Sequence, residues 1–296
     1  MAYQQIGTCR IFINALEWLS SNGSLEIDAI FRTLPVNPVS YSEPIANQTL
    51  GVFGTQSFVA LLGHRIKGET YSITDNNSDN PTLTDIVNGG TVGFNGYSIS
   101  TFDGTDLTSL EVGGFTGPVG SLVLGNYWES PVSPDAMLSI NYETNTKTIQ
   151  TKGGASLSNT MGSPPKWGDL AQWELNDPSA TTTGQDLAHK SRRIYNLKFS
   201  FMDQTNMFPK YNALNRYSDE TLSETALSTT DDETLLDSGS FFSAVWEKVG
   251  SSLPVIFQPD NTVNEFAIVK IVGNTLKVTE VAHRIYSISL KLAETW

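Results

Sequence analysis

Apolar and polar residues alternate strictly at two places in the last third of the chain. Over 191–201, Tyr195, Leu197, Phe199 and Phe201 fall on one side, and Asn196, Lys198 and Ser200 on the other. Over 283–292, Tyr286, Ile288, Leu290 and Leu292 oppose Ser287, Ser289 and Lys291. A period of two is that of a strand with one buried face. Between the two runs, Phe242, Val245, Trp246 and Val249 recur at i, i+3, i+4 and i+7, after the cap candidates Ser238 and Ser240 and before Gly250. This spacing predicts a helix over 240–249 that holds those four side chains against a sheet. Phe241 belongs to the same expected packing. The run 253–258 reads as a further strand.

The amino-terminal pattern is similar in kind. A strand over 8–13 leads into a helix, where Asn14 and Glu17 have capping-box spacing, Leu16 and Leu19 can face a core, and Gly23 stops it. Pro35, Pro38 and Pro44 then punctuate an extended arm. From Phe58 the texture changes to short strands between Gly and Asn turns. Residues 58–62 are continuously apolar, which suits a strand buried on both faces. Further short runs follow at 71–73, 91–94, 97–102, 110–112, 121–124 and 137–142. Regular spacing of this kind predicts a β-sandwich.

The expected fold class is therefore mainly β, a jelly-roll sandwich plus a second β-sandwich with one or two short packed helices. The expected organisation has four parts. Residues 1–45 form a strand, a helix and an arm packing with the carboxyl-terminal domain. Residues 46–145 form the jelly roll, 146–190 a polar linker, and 191–296 a β domain with helix 240–249 and an acidic loop over 203–237. In the linker, Trp167 and Trp173 are expected to pack on a neighbouring domain or subunit. The acidic loop holds Asp219, Glu220, Glu224, Asp231, Asp232, Glu233 and Asp237, with no basic residue between them.

Composition narrows the function classes. The 296 residues carry a net charge of -13, and only 17% of them are charged. A basic footprint for nucleic acid and a polybasic membrane patch are both missing, so neither partner is expected. No apolar run reaches membrane-spanning length, and the amino terminus lacks the charged and apolar regions of a secretory signal. Cys9 is the only cysteine and reads as a small buried hydrophobe.

Candidate chemistry is sparse. His64, His189 and His283 share no pattern, and no nucleophile elbow, zinc helix motif or phosphate loop occurs. The expectation is a protein without catalytic residues or cofactor. Asp75, Asn77 and Asp79 place oxygen ligands at alternate positions, as at the start of a calcium loop. Asn80 stands where the turn glycine belongs, and no bidentate glutamate follows, so a plain Asn/Asp turn is the competing reading. Tyr97, Tyr127 and Trp128 are the candidates for an exposed aromatic platform that would stack on a sugar; packing in the core is the alternative.

Several runs together carry a family resemblance. They are Ala60-Leu-Leu-Gly-His64, Gly120-Ser-Leu-Val-Leu-Gly125 with Pro131-Val-Ser-Pro-Asp135, and Gln150-Thr-Lys-Gly-Gly154. At the carboxyl end they are Arg193-Ile-Tyr-Asn-Leu-Lys-Phe-Ser-Phe201, Pro254-Val-Ile-Phe-Gln-Pro-Asp260 and the closing run from Tyr286 to Trp296. The chain resembles structural virion proteins of tailed bacteriophages, in particular minor tail and distal-tail proteins. Its middle part is similar to galactose-binding-like jelly-roll modules, although Arg65 follows His64 where such modules often have Asn. The resemblance implies a virion protein made in a bacterial cytoplasm and assembled into a tail. Its partners would be copies of itself in a ring and other virion proteins. The galactose-binding likeness implies a structural calcium as a possible ligand. It also implies an alternative function, a carbohydrate-binding module for a host surface glycan.

Overall fold

The computed structural model describes residues 7–21, 28–34, 39–41, 45–48, 53–74, 81–105, 110–135, 139–144, 146–160, 191–208 and 239–295. In chain order the strands of the first half are β1 (Arg10–Asn14), β2 (Val39–Tyr41), β3 (Ile45–Gln48), β4 (Ser57–His64), β5 (Ser72–Thr74), β6 (Thr84–Val87), β7 (Gly96–Phe102), β8 (Leu110–Gly113), β9 (Gly117–Val119) and β10 (Ser121–Glu129). Then come β11 (Ser139–Thr144), β12 (Thr146–Gln150), β13 (Ser156–Thr160), β14 (Ser191–Asp203), β15 (Val255–Gln258), β16 (Ala267–Ile271), β17 (Val278–Ala282) and β18 (Ile285–Glu294). The helices are short: α1 (Ala15–Ser21), α2 (Gln204–Met207), a single turn over Ala29–Phe31, and one over 242–249. The chain is mainly β, as its alternating patterns predict.

One antiparallel sheet runs through both halves in the order β11–β14–β18–β16–β15–β1–β10–β4–β7–β6, with β17 also beside β18. β1 lies near its centre, between β10 and β15. Apolar side chains therefore cover both of its faces, Ile11 and Ile13 on one and Phe12 on the other. β4 is buried at all eight positions, which is why residues 58–62 read as an unbroken apolar run.

On one face of the sheet two cores lie side by side. At the β14–β18–β16–β15 end the 242–249 helix packs over Leu197, Phe199, Phe257, Val269, Ile288 and Leu292. At the β4–β10 end, Val59, Leu61, Leu122 and Leu124 meet Ile73, Val112 and Val119 of small second-layer strands, completing a sandwich. On the opposite face a third core gathers Phe12, Phe58, Leu62, Tyr97, Ile99, Ile256 and Phe266.

The sheet is a saddle. Tyr97 on β7 and Phe266 beside β16 are five strand steps apart, about 24 Å in a flat sheet, yet their rings lie 6.3 Å apart. Trp128 on β10 and Phe199 on β14 are also five steps apart and meet at 6.5 Å, on the other face. The two pairs lie along opposite diagonals. Strand twist bends the two diagonals of a sheet toward opposite sides, so one sheet encloses a core on each face. Between β1 and β10, Gly125 is required, because a Cβ there would stand 2.0 Å from the Ile13 carbonyl oxygen.

Several details depart from the sequence reading. The helix begins with a π-helical stretch over Phe242–Trp246. The wider turn rotates the buried stripe, so Phe241, Val245 and Val249 are fully buried, while Phe242 and Trp246 are half-buried at its margin. Phe241 packs edge-on to Trp128 at 5.3 Å. The second departure is in the stretch read as a polar linker, where β12 and β13 pair as a hairpin. At α1, Asn14 caps the helix as its spacing predicts, accepting from the Leu16 and Glu17 amides. Glu17, however, accepts from Thr33 instead of closing a capping box.

Candidate functional site

Tyr97, Tyr127 and Trp128 form no exposed platform. Tyr97 is buried in the third core against Phe94 and Phe266. Trp128 is buried on the other face, beneath the helix. Tyr127 is half-buried, its ring tilted against Phe12 at 5.4 Å and covered by the Arg10 guanidinium at 5.5 Å. The reason is the strand period: neighbours on β10 point to opposite faces, and here both faces are core. Asp75, Asn77 and Asp79 lie outside the described residues, as do Trp167, Trp173, His189 and Asp219 to Asp237. Among the described residues no three carboxylate, histidine or cysteine side chains converge on a metal site.

Sequence reading missed one pairing that resembles catalytic chemistry. His64 Nε2 lies 2.9 Å from Ser98 Oγ, and next to it the Tyr71 hydroxyl bonds Ser100 Oγ. All four residues are buried between the sandwich layers. Burial lowers the His64 pKa to about 4, and Nδ1 has no hydrogen-bond partner. A serine nucleophile needs solvent access and an orienting acid behind the histidine; this pair has neither. It is a packed polar contact. Cys9 is inert for a similar reason, its thiol pushed up to about 12 by burial.

The exposed chemistry concentrates at one end of the large sheet. β11 pairs with β14, and no other described strand lies along its second edge. Ile140 and Tyr142 face the same side as Tyr195 and Arg193, their cross-strand partners. Tyr142 is 64% exposed. β12 continues almost directly from β11, and its hairpin with β13 carries Ile149 opposite Leu157, 59% and 61% exposed. The hairpin turn is closed by the Thr151 amide donating to the Ala155 carbonyl. Ile140, Tyr142, Ile149 and Leu157 are thus exposed along or just beyond an edge that no described strand pairs.

The edge rests on a rigid base. Arg193, opposite Tyr142, donates from Nη2 and Nε to Glu294 Oε1 at 2.5 and 2.8 Å, and its backbone amide donates to Oε2 at 2.7 Å. Glu294 is buried. Burial alone would lower the Arg193 pKa; the Glu294 carboxylate overcomes this and raises it. The guanidinium also lies 5.9 Å from the Tyr195 ring. A second polar cluster ties the far ends of β1 and β10 to the turn after β15. Arg10 and Thr8 donate to Glu129 at 2.8 and 2.6 Å, and Asn261 donates to Glu129 at 2.9 Å.

The hairpin was hidden because Thr146–Gln150 and Ser156–Thr160 each hold a single large apolar residue among Ser, Thr, Asn, Gln and Lys. Gly153-Gly154 between two Ser/Thr-rich runs was the signal available. No protein-family model, curated protein or solved structure matches this chain.

Proposed function

We propose that this chain is a structural subunit whose work is assembly, a non-enzymatic virion protein of a tailed phage acting in the tail or its tip. The observation that carries the assembly reading is the β11 edge that no described strand pairs, continued by the hairpin, with Ile140, Tyr142, Ile149 and Leu157 exposed along it. An edge strand pairs with another strand wherever nothing blocks it. β11 has one charged residue, Glu143, and no proline. The phage assignment rests on the sequence resemblance, whose carboxyl-terminal runs are β14, β15 and β18, the strands on which β11 and the helix are built. A repeat of such contacts between copies would close into a ring if the rotation between neighbours allows it.

The test is the mass of the purified protein by light scattering across a concentration series, for the wild type and for Ile140→Asp with Tyr142→Asp. A wild-type oligomer reduced to monomer by the pair of substitutions, with unchanged melting temperature, is the expected result. An oligomer indifferent to both substitutions removes the edge from the interface.

A further inference from the structure

The large sheet has marginal strands besides β11. β6, at the opposite end, is short, and its register with β7 shifts between Asp85 and Val87. The register of β17 with β18 shifts between Glu280 and Ala282. An irregularity of this kind bends a strand and blunts its edge against further pairing. β11 is not interrupted: it runs in register with β14 from Ser139 to Thr144. Ser139 to Glu143 are all exposed, so side chains on both faces of β11 reach solvent.

Charge favours the same strand. Each copy of the chain carries -13, and two copies repel wherever negative surfaces meet. Glu143 is the one carboxylate of β11, and its cross-strand partner is Arg192. Arg193 is held by Glu294, and Lys198 follows on β14. Two copies can therefore approach through β11 without facing an excess of negative charge.

The sequence of β11 fits its own copy. A two-fold axis normal to the sheet sets two copies of a strand antiparallel and keeps each face on its own side. Directly opposed residues share a face, so the axis must pass through a residue and not between two. With Asn141 on the axis, Ile140 of each copy lies opposite Tyr142 of the other, on the face that carries Tyr195. An aromatic ring against a β-branched side chain is a favourable cross-strand pair, and here it forms twice. On the reverse face Ser139 lies opposite Glu143. Ser139 Oγ accepts from Asn196 Nδ2 at 3.0 Å, so its own proton points away from Asn196 and can be donated to that carboxylate. Asn141 faces itself, an amide that both donates and accepts. With the axis on Tyr142, Ile140 would oppose Thr144 and both mixed pairs would be lost. A head-to-tail contact, β11 on β6 of the next copy, would meet the shifted register of β6.

We propose that β11 pairs antiparallel with β11 of a second copy, about a two-fold axis through Asn141. This rests on the assembly reading and names its partner strand and register. The contact is isologous and closes at two copies, so a larger ring is built from these dimers through another surface.

Disulfide trapping in the full-length protein tests the register. The native Cys9 is buried, so the wild type serves as the blank. Opposed residues of an antiparallel pair have Cα atoms about 4.5–5.5 Å apart, within reach of a disulfide, whereas beyond about 7 Å the backbone would have to move. Glu143 of one copy stands four residues out of register with Glu143 of the other, about 13 Å away. Under mild copper-catalysed air oxidation, Asn141→Cys is expected to form a disulfide dimer about tenfold faster than Glu143→Cys, or more. A mixture of Ile140→Cys and Tyr142→Cys is expected to give chiefly the mixed dimer, resolved by intact mass. Melting temperature and light scattering of each variant before oxidation show that fold and oligomer are kept.

Equal rates for Asn141→Cys and Glu143→Cys are the mark of random collision and would overturn the proposal. Tyr142→Cys joining chiefly to itself would overturn it by moving the axis. So would the absence of a disulfide dimer both from Asn141→Cys and from the mixture. In that last case an oligomer that Ile140→Asp with Tyr142→Asp still breaks up keeps the edge reading and gives the edge to a different strand. A monomer at every concentration, with no disulfide dimer, removes both readings.

Discussion

At the scale of single residues, His64 couples the fold to pH. Its imidazole is neutral and buried, with a folded pKa of about 4 against 6.5 for the unperturbed group. Below 6.5 the unfolded chain takes up a proton that the folded chain refuses. Stability is thus full above pH 6.5 and is lost progressively as pH falls toward 4, by about 3 kcal/mol from this group alone. Melting temperatures measured from pH 7.5 to 4 should fall, and His64→Gln should flatten that fall. Equal slopes for both proteins would assign the acid sensitivity elsewhere. Arg193 and Glu294 are a second residue-scale case. Arg193→Met leaves a buried carboxylate without its cation and should cost about 3–5 kcal/mol. Adding Glu294→Leu should recover most of that loss, as read by urea denaturation, because the pair's removal leaves no charge behind.

At the scale of elements, the helix shows what a local deviation does to packing. A regular α-helix would have placed Phe242 and Trp246 in the buried stripe; the π-helical turn places Phe241 there, against Trp128. Phe241→Ala should therefore destabilise the fold by about 3–5 kcal/mol, and Trp246→Ala by clearly less, since a half-buried ring leaves a smaller cavity. A melting comparison of the two variants gives the ranking directly. The extent of the helix was legible in its spacing, and so were β14, β18, β15 and the doubly buried β4, because each carries an apolar period that burial imposes. What the sequence could not display were features set by partners. The π-helical turn leaves no mark on residue type. Likewise, the bulge between Phe199 and Met202 leaves Phe201 73% exposed although its alternation predicts the buried side. Tyr97 and Trp128 carry no label for the face they meet, and the β12–β13 hairpin has one apolar pair, Ile149 and Leu157, and no apolar period.

At the scale of the whole molecule, the apolar β11 edge lies at one end of the large sheet, next to β14. It depends on β14 and β18 being locked together, which the Arg193–Glu294 pair does from within. The central position of β1 has a consequence in time. Its neighbour β10 is made more than a hundred residues later, and β15 more than two hundred. During synthesis the first strand waits with one edge unsatisfied until almost the whole chain has emerged. Such long-range closure is slow, and the half-built sheet is open to association with other nascent chains. Its yield in a cell should then depend on the temperature and speed of translation more steeply than the stability of the finished protein does.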